Sequence, residues 1–95
     1  MDIPHSMLHA AYQGLTDIVK FLLEKGAVPN RACLNGDTPL HNASFSGYHH
    51  IAQLLIDSGA DLNMVNNSGY TPLRLALMMG FSEMANLIRE NGGTE

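Results

Sequence analysis

The sequence predicts an all-α repeat fold, an α-solenoid of three helix–turn–helix units joined by extended fingers. Three observations predict it. Gly14, Gly47 and Gly80 are 33 residues apart, Gly26, Gly59 and Gly92 keep the same interval, and Thr38-Pro39-Leu40 recurs as Thr71-Pro72-Leu73. Other positions fall into this register: Ala10 with Ala43 and Ala76, Gly36 with Gly69, Ala27 with Ala60, and Asn30 with Asn63. A fixed period of this length marks stacked supersecondary units. The 95 residues are read as one domain, 1–95, with units over about 3–32, 33–65 and 66–95.

Each element follows from the residues that open and close it. Thr38 and Thr71 suit the N-cap, where a side-chain oxygen accepts an orphan backbone N–H. Pro39 and Pro72 follow at the first helical residue, where a missing N–H costs nothing. This first helix is short and ends at Gly47 or Gly80, each suited to a left-handed residue past the helix end. The second helix carries Ile51, Leu54 and Leu55 at helical spacing, echoed by Ile18, Phe21 and Leu22 and by Met84, Leu87 and Ile88. It stops at Gly26, Gly59 and Gly92. An extended segment then crosses to the next unit, from Ala27 to Asp37 and from Ala60 to Tyr70, with Asn35-Gly36 and Ser68-Gly69 as turn signals.

One such unit cannot bury its apolar stripe alone, so neighbours must stack, and about three units is a practical minimum. Ala10, Ala43 and Ala76 are small enough for close approach. The ends are expected to be atypical. In the first unit His5-Ser6 replaces the Thr-Pro pair, and in the last Arg89 replaces the apolar Leu23 and Ile56, while Asn86 aligns with Lys20 and Gln53. First and last units are therefore read as caps on an array that folds alone.

These residues resemble the ankyrin repeat. The resemblance rests on Gly36-Asp37-Thr38-Pro39-Leu40-His41, Ala43, Gly47, Ile51 to Ile56, and Gly59-Ala60-Asp61-Leu62-Asn63, and it covers about His5 to Gly92. It implies an L-shaped stack with projecting β-hairpin fingers and a concave groove formed by fingers and first helices. It also implies binding to other proteins and rarely catalysis. By resemblance, His41 should bridge Thr38 and a neighbouring finger's backbone. There are departures. Cys33 and Asn66 stand where the family often has Asp, Arg74 replaces the histidine in the last unit, and Asn42 replaces a favoured Leu. Asn66 keeps a local side-chain bond to backbone that Cys33 makes poorly, so a looser first finger is expected. Asn42, if buried, needs partners.

Composition narrows the function. Hydrophobic residues make up 45% of the chain, enough for a packed core. Charged residues make up 15%, with 9 acidic against 5 basic and a net charge of -4. Lys20, Lys25, Arg31, Arg74 and Arg89 are scattered singly, without the basic stripe that phosphate binding requires, so nucleic acid is excluded as partner. No apolar run approaches the roughly 20 residues of a membrane helix, and no secretory signal is visible. The single cysteine fits a reducing compartment, and an intracellular location, cytoplasmic or nuclear, is expected.

Catalytic and metal chemistry find no candidates. His49 and His50 are adjacent and point about 100° apart on a helix, so they do not grip one ion together. His5 and His9 share a turn but sit at the N-terminus, and His41 lies in another unit. Cys33 lacks a basic partner and reads as a partly exposed free thiol. No glycine-rich phosphate loop or carboxylate dyad is present. No metal, no cofactor and no enzyme activity are expected.

Binding is where the residues differ in kind at equivalent positions. Tyr12, Phe45 and Met78 share one register in the first helix, two residues before its closing glycine, and Gln13, Ser46 and Met79 run alongside. By resemblance these positions face the groove. An apolar ladder there is preferred as a contact surface over packing beneath the fingers. Leu77-Met78-Met79 is its most apolar part. The finger tips form a second candidate surface: Leu34, Asn35 and Asp37 in one, Asn67, Ser68 and Tyr70 in the other. Asn63, preceded by Leu55, Asp61 and Leu62, has the spacing of ankyrin repeats modified by an asparaginyl hydroxylase. The preferred reading is that Asn63 ties down the finger backbone. The expected function is a protein-interaction module, monomeric when unbound, with Tyr12, Phe45, Met78, Met79, Leu34, Asp37, Asn67 and Tyr70 meeting the partner. The alternative is a self-associating or spacer domain that buries Leu77-Met78-Met79.

Overall fold

A computed structural model describes the backbone of residues 3–95 and the side chains of residues 7–95. The replacement of the Thr-Pro pair by His5-Ser6 and the pairing of His5 with His9 lie outside the described side chains. Six helices follow one another: α1 (Ile3–Gln13), α2 (Thr16–Glu24), α3 (Pro39–Ser46), α4 (His49–Asp57), α5 (Pro72–Met78) and α6 (Ser82–Glu90). Thr38 caps α3, its Oγ1 accepting the His41 N–H, and Thr71 caps α5 by accepting the Arg74 N–H. Each proline sits at the start of its helix, as the spacing predicts.

Helices pair within units, α1 with α2, α3 with α4 and α5 with α6. Units stack through two rows, α1–α3–α5 and α2–α4–α6. The small alanines allow this: Ala10, Ala43 and Ala76 are buried where the first row packs. Met7, Leu40, Leu73, Val19, Ile51, Leu55, Met84 and Ile88 fill the core between the rows. The glycines closing the first helices do more than turn the chain. The Tyr48 ring lies against Gly14 and the Phe81 ring against Gly47, so each aromatic seats on the preceding unit where no Cβ intervenes.

The crossing segments form no strand among the described residues. Each closes as a turn with one backbone pair at its neck and a second bond inside. The Cys33 N–H donates to Asp37 O and the Gly36 N–H to Cys33 O, repeated by Asn66 to Tyr70 and Gly69 to Asn66, all at 2.9–3.0 Å. One closing bond per finger is too short to make a ladder. The second finger is tighter by two bonds, because Asn66 Oδ1 also accepts the Ser68 and Tyr70 N–H groups. The first finger lacks these bonds but leans on its neighbour: Asn67 donates its backbone N–H to Asn35 O and its Nδ2 to Leu34 O.

Asn30 and Asn63 repeat one further tie. Asn30 Oδ1 accepts the Asp61 N–H at 2.6 Å, and Asn63 Oδ1 accepts the Thr94 N–H at 2.8 Å. Asn42 Nδ2 donates to Leu8 O, which meets its need for a partner and links α3 to α1.

The two ends differ. At the C-terminal flank Arg89 and Asn86 are exposed, as a polar cap requires. At the N-terminal flank Leu15, Ile18 and Phe21 are 44%, 46% and 55% exposed. The first unit is atypical in its opening residues, yet its outer flank is apolar.

Candidate groove formed by first helices and fingers

His41 anchors this region. Its Nδ1 accepts the Thr38 N–H at 3.1 Å and lies 2.8 Å from Thr38 Oγ1, while its Nε2 lies 2.8 Å from Tyr70 O. A carbonyl only accepts, so Nε2 carries the proton and Nδ1 is the acceptor. The bridge expected between Thr38 and the next finger is thus formed, and it fixes the base of the second finger over α3. In the last unit the Arg74 guanidinium lies 5.8 Å from the Tyr70 ring centroid, a cation–π contact.

A cleft of ≈ 330 Å³ opens in front of this bridge. One wall is the helix ladder of Tyr12, Phe45 and Met78, one side chain from each unit, with Asn42 and Leu75 beside it. The other is the fingers, which contribute Asp37, Asn66, Ser68 and Tyr70. Tyr12, Phe45 and Met78 are 56%, 45% and 53% exposed, so none of the three packs as core. Asp37 accepts one bond from Asn66 Nδ2 at 2.9 Å, which holds the two fingers together at the cleft.

The remaining expected contact residues stand elsewhere. Leu34 is 99% exposed at the first finger's tip, and Met79 is exposed beside α5 without lining the cleft. Asn67 spends its amide and its backbone N–H on the first finger. Ser68, expected at the finger tip, lines the cleft as well, and the lining residues that the sequence does not mark for contact are His41, Asn42, Asn66 and Leu75. A signal exists for two of them, since Asn42 and Leu75 precede Phe45 and Met78 by three residues and so share their helix face. By spacing alone Asn66 reads only as a turn residue.

Both His41 ring nitrogens are engaged, and Cys33 is not among the lining residues. Among the described residues no group of three or more His, Cys, Asp or Glu side chains is placed to hold a metal ion. No helix among them is long and apolar enough to cross a membrane. A family model described as ankyrin repeats in three copies matches residues 6–95.

The chain belongs to the ankyrin-repeat family. Ankyrin repeats are generally protein–protein interaction modules and generally non-catalytic. Comparison with curated proteins finds no match to the chain. Within this ankyrin stack Asn63 works as a structural tie, donating Nδ2 to Gly92 O and accepting from the Thr94 N–H and hydroxyl.

Proposed function

We propose that this ankyrin-repeat chain, acting as one domain over residues 1–95, is a non-catalytic module. It grips a partner protein through the concave cleft and the finger tips. The single observation that carries this reading is the convergence of Tyr12, Phe45 and Met78 from three units on one open cleft with Asp37 and Tyr70 opposite. Rigid aromatic and Met side chains supply interface area at low entropic cost, and the hydroxyls and carboxylate fix orientation. Stacked units move little on binding, so recognition uses a preformed shape. Leu34, Asn67 and Met79 extend the contact outward from the cleft. The site of action is intracellular, in keeping with the free Cys33 thiol.

Phe45→Ala and Tyr70→Ala are expected to weaken partner binding by about 1–3 kcal/mol each. The thermal transition should stay nearly unchanged. The partner is obtained by affinity capture from lysate, with a Tyr12→Ser/Phe45→Ser double variant as negative control. Loss of fold in Phe45→Ala, or capture undiminished by the double variant, overturns the reading. Asn63 as a hydroxylation site is tested separately by intact mass with and without an asparaginyl hydroxylase.

A further inference from the structure

The stack carries a second apolar surface, separate from the cleft. Leu15, just before α2, and Ile18 and Phe21 on its outer side recur every third residue and are all about half exposed. Their counterparts one unit on are Tyr48, Ile51 and Leu54, and two units on Phe81, Met84 and Leu87. Ile51 and Met84 are buried and the other four are partly buried against the core. What covers them is the preceding unit: α4 packs on α2 and α6 on α4, and Tyr48 and Phe81 seat on Gly14 and Gly47. The same register that makes two internal interfaces is thus presented a third time, with no described residue packed over it.

We infer that this flank is an interface between two copies of the chain, closed by antiparallel pairing of α2 with α2 about a twofold axis. Charge selects this occupant and this geometry. Asp17 stands in the first turn of α2 and Lys25 just past its end. Antiparallel pairing sets Ile18 against Phe21 of the other copy and brings each Asp17 toward the other copy's Lys25; it also opposes the two helix dipoles. The Lys25 ammonium already lies 5.5 Å from the Phe21 ring centroid, over the patch it would flank. Head-to-tail stacking, which would reproduce the internal interface, is blocked by Arg89 and Asn86 on the opposite flank, since an apolar stripe gains nothing against an exposed guanidinium. Three side chains per copy make a small contact, so the pair is a weak one, with dissociation in about the micromolar to millimolar range.

Sedimentation equilibrium from about 10 μM to about 1 mM, spanning that range, tests this. The weight-average mass is expected to climb from 10.3 kDa toward twice that value and to stop there. Phe21→Glu should raise the dissociation constant at least about tenfold with the helical circular dichroism unchanged, because Phe21 is already exposed. Ile18→Lys serves as a second disruptive variant. Asp17→Lys should weaken pairing, and adding Lys25→Asp in the same chain should restore it, an outcome only the antiparallel geometry gives. A chain that stays monomeric at the highest concentration overturns the inference. So does growth past the dimer, failed charge-swap rescue, or association that survives Phe21→Glu but is lost in Met78→Ser. Cleft variants such as Tyr12→Ser leave this pairing intact, so its failure and failure of the partner-binding reading are separable.

Discussion

Leu23, Ile56 and Arg89 occupy one position of the repeat, and Ile18, Ile51 and Met84 occupy another. The first position faces forward along the stack and the second faces back. Where the stack ends forward, the residue has become a charged one, and Arg89 stands exposed. Where it ends backward, the residue has stayed apolar, and Ile18 is 46% exposed while Ile51 is fully buried. The contrast teaches that repeat register sets the direction a side chain faces but not whether anything covers it. Coverage belongs to the neighbouring unit. One flank presents a polar surface and the other has the composition of an interior surface.

The largest expected effect separates identical residues at identical register. Ile51→Ala should cost about 2–5 kcal/mol, through lost burial and the cavity left between α2 and α4. Ile18→Ala should cost less than about 1 kcal/mol, because little apolar area returns to water. Thermal denaturation at low protein concentration, where pairing is absent, measures both. Similar costs would mean that Ile18 is covered within the chain, and the contrast between flanks would collapse.

Much of this is legible in the sequence because a period fixes many positions at once. The caps at Thr38 and Thr71, the closing glycines and the Tyr12–Phe45–Met78 ladder all follow from spacing. What spacing leaves out is what depends on side chains arriving from another unit. Asn66 is a turn residue in its own finger, yet its amide reaches Asp37 in the preceding one. The projecting hairpins are turns with one closing pair because each neck ends after a single hydrogen bond. The first finger lacks the side-chain bonds of the second, as Cys33 implies, but the ties from Asn67 come from outside its own sequence. Ser44 shows the same limit from another side. It shares register with Ala11 and Leu77, is fully buried, and its hydroxyl has no partner among the described residues. Nothing in the spacing marks that hydroxyl as unpaired.

A smaller effect distinguishes two glycines with the same backbone. Gly47 and Gly80 have φ of 76° and 77°, so alanine at either carries the left-handed penalty of about 1 kcal/mol. At Gly47 the added Cβ also meets the Phe81 ring at 3.0 Å, whereas at Gly80 it meets nothing within 4 Å. Displacing a seated ring costs a further about 1–3 kcal/mol. Urea denaturation should therefore place Gly47→Ala below Gly80→Ala by that margin. Equal midpoints would show that the aromatic seat contributes nothing to stacking.

The smallest effect on stability has a distinct consequence for association. Arg89→Leu gives the forward flank the residue type of Leu23 and Ile56. No following unit exists among the described residues to bury it, so no transfer energy is gained. Arg89 lies in the last turn of α6, where a cation favours the helix dipole, so a loss of about 0.3–1 kcal/mol is expected instead. A gain above about 1 kcal/mol in dilute solution would show that this flank is already covered and that the two ends are alike after all. At high concentration the variant removes the charge that blocks head-to-tail contact. The introduced leucine side chain of one copy then meets the Ile18 and Phe21 stripe of the next, an interface that does not close, and light scattering should show growth beyond the dimer.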